Sequence, residues 1–168
     1  IWNNMKLVSI DKTLSDLQAG KIIILTDHSA PGTRGCFVMA TAKSTADKIN
    51  NMIFYGRGLI SMPMSREHLH QLGLPVDTSG ISIDASRGIG VGISPTDRSH
   101  TVQVASAENV KPQDIVTPGH IFPIEAEDGG CLVRPLFADA AKDLIRLADF
   151  KGTAVICDIL DEQGSFAD

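Results

Sequence analysis

Aromatic residues are scarce in this sequence, with one Trp, one Tyr and six Phe among 168 residues. So few rings cannot furnish a base-stacking surface. No dense Lys/Arg cluster occurs, the net charge is −5 and the pI is about 5.4, so nucleic acid is not an expected partner. No apolar run approaches the roughly 20 residues that a membrane helix needs, so no membrane partner is expected. The most apolar stretch, Ile22 to Leu25, reads as a strand covered on both faces. Cysteine is limited to Cys36, Cys131 and Cys157, with no CxxC spacing. That excludes a disulfide framework and a structural zinc site, and it fits a reducing, cytoplasmic setting. No basic region followed by an apolar stretch and a cleavage site is found at the start, so no signal peptide is expected.

What is present suits a globular protein. Hydrophobic residues make up 43% and charged residues 21%. The length suits one domain spanning residues 1–168 around one core. Ser9 to Gly20 reads as a helix with Ile10, Leu14 and Leu17 at helical spacing and Gly20 as its C-cap. Thr26 to Gly35 is a loop rich in Gly, Pro, Ser and Thr, and Cys36 to Ala42 is a strand. Further helices are expected at 44–55, 65–72, 96–107 (capped by Thr96 or Asp97) and 135–148, with Ala140, Leu144 and Leu147 on the inner face of the last. Strands are expected at 58–63, 81–85, 120–125 and 153–160, a glycine-punctuated apolar stretch at 88–94, and a turn at 112–117. Strands alternating with helices predict a three-layer α/β/α domain.

Five segments, in order, carry a resemblance. They are Gly58-Leu-Ile-Ser-Met-Pro-Met with Leu72-Gly-Leu-Pro75; Ser82-Ile-Asp-Ala; Gly92-Ile-Ser-Pro-Thr-Asp-Arg98 with Thr101; Pro118-Gly-His-Ile-Phe-Pro123; and Ala154-Val-Ile-Cys-Asp158 with Gly164. From about Ser9 onward the chain resembles 3,4-dihydroxy-2-butanone 4-phosphate synthase, a lyase of riboflavin biosynthesis. The resemblance implies a mixed sheet and a homodimer with its active site at the subunit interface. It also implies a reaction that turns ribulose 5-phosphate into dihydroxybutanone phosphate and formate, helped by two magnesium ions and acidic residues. A divalent cation would stabilise an enediolate while carboxylates move protons.

The chain departs from that family in two places. Where the family carries Asp-x-x-x-Arg-Glu-x-Glu-Gly-Asp, this chain reads Asp27-His-Ser-Ala-Pro-Gly-Thr-Arg-Gly-Cys36. The metal-binding Glu falls at Gly32, the second Glu at Arg34 and the closing Asp at Cys36. Where the family carries Arg-x-Gly-His-Thr-Glu, this chain reads Arg134-Pro-Leu-Phe-Ala-Asp139, which puts Phe137 at the metal-binding His. A Gly-Thr-containing stretch before Ser82 is also missing. A hard cation needs oxygen donors, so no metal and no cofactor are expected.

Other pocket elements persist. Ser94, Arg98, Thr101, His120, Arg134 and Asp139 are candidates for binding an anionic ligand, since an Arg with hydroxyls and a His suits a dianion. The structural reading of the same group is a cap and an ion pair around Asp97 and Arg98. Asp27, His28, Cys36 and Asp158 are candidates for proton transfer, set against a plain loop followed by a buried Cys. His68, His70 and His100 read as surface residues, Cys131 and Cys157 as core, and Phe137 as packing that could reshape the pocket for an apolar substrate. Taken together, these features favour a repurposed, metal-independent enzyme acting by acid/base chemistry on a small anionic or carbonyl substrate, in a homodimer. A non-catalytic binding or partner subunit and a genuine synthase are the alternatives.

Overall fold

The computed structural model describes residues 6–29, 32–86 and 92–167. Local sequence signals account for most of its elements. Ser9 caps helix α1 (Ile10–Gln18) by accepting from the Lys12 amide. Thr45 does the same for α2 (Ala46–Gly56), and Ser65 for α3 (Arg66–Gln71). Each hydroxyl satisfies one of the amides that a helix start leaves without a partner. The fourth helix, α4 (Pro95–Ala105), is capped by Ser94, two or three residues earlier than Thr96 or Asp97, and Pro95 takes the first helical position, where its missing N–H costs nothing. The fifth, α5 (Phe137–Leu147), follows a short 3-10 turn at Gly130–Leu132.

Six strands form one mixed sheet: β1 (Ile23–Asp27), β2 (Arg34–Ala40), β3 (Arg57–Met64), β4 (Ile83–Ala85), β5 (Ile115–Glu125) and β6 (Ala154–Ile159). Their spatial order is β1-β2-β6-β3-β5-β4, with β3 and β5 parallel and every other neighbouring pair antiparallel. Part of the glycine-punctuated stretch expected at 88–94 lies outside the described residues. Gly119, in the Pro-Gly-His segment, lets β5 lie close to β4: a Cβ there would meet the Ile83 carbonyl carbon at 2.1 Å.

Side chains alternate across the sheet. From β2, Met39 joins Val155 and Cys157 of β6 in a core with Ile49 and Met52 of α2 and Val102 of α4. From the same strands, Cys36, Val38 and Ile156 join a second core with Leu17 of α1 and Ala141, Leu144 and Ile145 of α5. Helices therefore cover both faces, giving the expected three layers.

Two expectations are corrected. The Ile22–Leu25 stretch is not covered on both faces: β1 is an edge strand and Ile24 is 38% exposed. Helix α1 packs against Ile23 and Leu25, and alternation turns Ile24 to the opposite face of the strand. The inner face of α5 is Ala141, Leu144, Ile145 and Ala148, whereas Leu147 is 54% exposed. The helix has one broad apolar face, and packing against β2 and β6 selects which part of it is innermost. Among the described residues no helix is long and apolar enough to cross a membrane.

Candidate active site

The β1–β2 hairpin and the start of α5 flank a cavity of about 610 Å³. Alternation aims Asp27, Arg34 and Asp158 toward it, because these share the sheet face with Leu25, Val38 and Ile156, the face that α5 covers. Asp27 and Arg34 are cross-strand partners at the mouth of the hairpin. Arg34 Nη2 donates to Asp27 Oδ2 at 3.0 Å, while Asp27 Oδ1 accepts from the Ser29 amide at 2.8 Å and its hydroxyl at 2.6 Å. The two Ser29 bonds, then Arg34, hold the Asp27 carboxyl at about 2, so it is ionised throughout the physiological range. His28 is fixed between two hydroxyls: Nε2 lies 3.1 Å from Thr26 Oγ1 and Nδ1 lies 3.1 Å from Thr33 Oγ1.

Asp158 lies opposite Cys36 in the β2–β6 ladder. Burial pushes its carboxyl above the usual range, and Arg34 works against that rise. The remaining walls are largely apolar: Leu25, Leu59 and Ile156 from the sheet, Leu136 and Phe137 from the start of α5, and Phe166 from the C-terminal segment. Phe137 thus has the packing role read from the sequence and also shapes this cavity.

Cys36, expected as a proton-transfer group, is corrected to core. Its side chain is fully buried beside α5, and burial, then the nearby Asp158, push its thiol far up, away from the thiolate a nucleophile needs. Cys131 is corrected the other way: it is partly exposed and lines the cavity. His68 is also not a plain surface residue, because its Nε2 lies 2.6 Å from the Ala105 carbonyl oxygen.

The six candidate anion-binding residues do not gather around this cavity. Ser94, Arg98 and Thr101 sit on α4, on the other side of the sheet from α5. The Ser94 hydroxyl donates to Asp97 Oδ2 at 2.6 Å, and the Thr101 hydroxyl accepts from the Ala85 amide at 3.0 Å. Asp97 Oδ1 and Arg98 Nε are buried without a hydrogen-bond partner among the described residues. His120 pairs through Nδ1 with Asp84 Oδ2 at 2.8 Å, and its amide donates to Asp84 Oδ1. Arg134 donates from Nε to Asp139 Oδ2 at 2.8 Å and from Nη2 to Asp139 Oδ1 and the Glu125 carbonyl. Asp139 also accepts from the Glu127 amide at 2.7 Å and is fully buried. Arg134 and Asp139 therefore tie the end of β5 to the start of α5.

The sequence reading missed Arg34, Phe166 and Leu59 as lining residues. Arg34 carried a usable signal, because alternation along β2 puts it on the same face as Cys36 and Val38.

A family model described as 3,4-dihydroxy-2-butanone 4-phosphate synthase matches residues 11–168. The synthase of that name from Pseudomonas aeruginosa is 42% identical over 173 aligned residues, covering 97% of this chain and 47% of the relative. The crystal structure of RibBX, a two-domain synthase of that name from A. baumannii, is 40% identical with a TM-score of 0.86, covering 95% of this chain and 50% of that one. A synthase structure in complex with two magnesium ions is 27% identical with a TM-score of 0.85, covering 93% of this chain and 77% of that one. The chain thus spans about half the length of the Pseudomonas relative.

The donor set here does not fit such a pair of ions. Magnesium takes oxygen ligands in near-octahedral geometry. The two departed segments offer Gly32, Arg34 and Phe137 instead, and Gly32 holds φ +86°, a conformation that side chains rarely adopt. Asp27 is committed to Arg34 and Ser29. Among the described residues no group of three or more His, Cys, Asp or Glu is placed to hold a metal ion.

Proposed function

Because the chain belongs to the 3,4-dihydroxy-2-butanone 4-phosphate synthase family, we propose that it is an enzyme domain of riboflavin biosynthesis that takes a small sugar phosphate, ribulose 5-phosphate or a close carbonyl relative, into the cavity under Phe137. One observation carries the reading: two segments about a hundred residues apart, the hairpin at 27–36 and the stretch at 134–139, meet at one cavity in a chain similar to synthases along nearly its whole length. In this proposal residues 1–168 act as one unit, and the protein works in the cytoplasm.

Asp158 and His28 carry the proton transfers. An enolisation needs a group that removes a proton beside a carbonyl and one that protonates the carbonyl oxygen. Asp158, pushed up by burial, holds its proton closer to neutral pH than an ordinary carboxyl and suits the second task. His28, held at the cavity by the Thr26 and Thr33 hydroxyls, takes the first when one hydroxyl turns away and frees a ring nitrogen. Ser94, Arg98 and His120 are proposed to meet the cavity of a second copy, in a homodimer with the site at its interface, while Thr101, buried and bound to the Ala85 amide, supports them from within the chain. Exposed apolar side chains beside the cavity support that interface: Leu59, Leu132, Val133 and Leu136.

Two readings of the chemical step share this cavity. Identity of about 40% to synthases supports the family's own conversion of ribulose 5-phosphate to dihydroxybutanone phosphate and formate. The donor set favours a metal-independent acid/base reaction on a related substrate. Incubation with ribulose 5-phosphate, with and without magnesium, and measurement of formate separates them. Formate release that depends on magnesium supports the first reading and rejects the second. Binding of ribulose 5-phosphate without formate in either condition does the reverse. If ribulose 5-phosphate neither binds nor reacts, the sugar phosphate proposal is wrong.

A further inference from the structure

The geometry points to Arg34 as the anion-binding residue of the cavity, a guanidinium fixed by Asp27 and backed by Phe166 that takes the phosphate or carboxylate of a small carbonyl compound without a metal ion. The inference rests on the reading of this cavity as a ligand site and deepens it by naming the group the ligand must carry.

Four observations support it. Among the described lining residues Arg34 is the one with a permanent positive charge. Only Nη2 is engaged, at 3.0 Å from Asp27 Oδ2, so Nε and Nη1 keep their donors with no hydrogen bond to a described residue. A guanidinium presents a planar fork of N–H groups that matches two oxyanion oxygens at once. Its orientation is also set in advance. Asp27 is anchored by both groups of Ser29, and the guanidinium carbon lies 5.4 Å from the centre of the Phe166 ring. Less freedom is then lost when a ligand binds.

Arg34 and Asp27 offset one another, and burial raises the carboxyl of Asp158, the other lining acid, against the pull of Arg34. The walls beside Arg34 include the apolar side chains of Leu25, Leu59 and Phe137. They accept the carbon body of the ligand. A residue stands here whose charge is opposite to that of the glutamate in the family pattern. A side chain that would attract a cation is replaced by one that can pair with an anion.

The bland reading is a salt bridge that closes the hairpin and does nothing else. Calorimetric titration in EDTA with two probes, ribulose 5-phosphate and phenylpyruvate, decides between them, using the native chain, Arg34→Met and Arg34→Lys, each checked for an unchanged melting profile. The native chain is expected to bind at least one probe in EDTA, Arg34→Met to bind it at least tenfold more weakly, and Arg34→Lys to fall between. Equal affinity in Arg34→Met, binding that requires magnesium, or no binding of either probe by the native chain overturns the inference. Arg34-dependent binding of phenylpyruvate alone upholds it and removes the sugar phosphate reading. Binding of ribulose 5-phosphate that ignores Arg34 keeps that reading and removes the inference.

Discussion

Two Arg–Asp pairs occupy the segments 27–36 and 134–139, and they do different things. In the α5 segment, Arg134 grips Asp139 through two nitrogens and also holds the Glu125 carbonyl, while the Asp139 carboxylate is fully buried and takes a backbone amide as well. In the hairpin, Arg34 touches Asp27 through one nitrogen, and its side chain is 42% exposed on the cavity. A pair whose donors and acceptors are used up inside the protein maintains structure. A pair with donors left over and facing a cavity can act on a ligand. The residue type is the same in both, and what differs is how many of its hydrogen bonds the fold consumes.

The largest effect expected from breaking this comparison is at the buried pair. Asp139→Ala leaves a guanidinium and the Glu127 amide without their partner, and we expect a loss of about 3 kcal/mol in urea unfolding, the lower end for splitting a buried ion pair. A loss too small to separate from the native curve would show that the two pairs are alike. Next comes Asp158→Asn. The folded state holds this proton more tightly than the unfolded chain does, so stability falls as pH rises through the native titration and is greater below it. The Asn variant escapes that loss. Its melting midpoint at pH 7 is expected to rise by a few degrees and the gap to close toward pH 4. An unchanged gap between those pH values would remove the burial argument.

At the hairpin pair, Arg34→Met is expected to leave the midpoint nearly unchanged, because an exposed ion pair contributes little. A large drop would make Arg34 structural as well. The smallest effect is chemical. Aromatic disulfide reagents should label Cys131 in the native protein and spare Cys36 and Cys157 until it unfolds, since burial raises both thiols, that of Cys157 to about 12. Native labelling of Cys36 would restore it as a candidate for the chemistry.

Much of the fold was legible in the chain, and the reasons are local. Ser9, Thr45 and Ser65 stand directly before periodic segments, and a hydroxyl at that place pairs with an amide of its own first turn. Ser94 was misread because Thr96 and Asp97 are equally good cap residues, and Pro95 decides between them. The phase of α5 was misread because an alanine-rich helix has a broad apolar stripe. The candidate site was legible only in part. Asp27, His28 and Asp158, which line the cavity, stand in or beside motif segments and are visible as candidates for that reason. Cys36 was placed with them for the same reason, although its side chain turns into the core.

By itself the sequence determined most of the elements, the family and the presence of Gly32 and Phe137, neither of which offers a metal donor from its side chain, because these depend on residue identity and on contacts within a few residues. Only the tertiary structure decided which arginine keeps donors available, since that depends on partners such as Glu125 and Asp139 meeting Arg134 across the β5–α5 connection. Hydrogen-bond capacity is a property of the residue. Whether it is spent is settled by what the fold brings within about 3 Å.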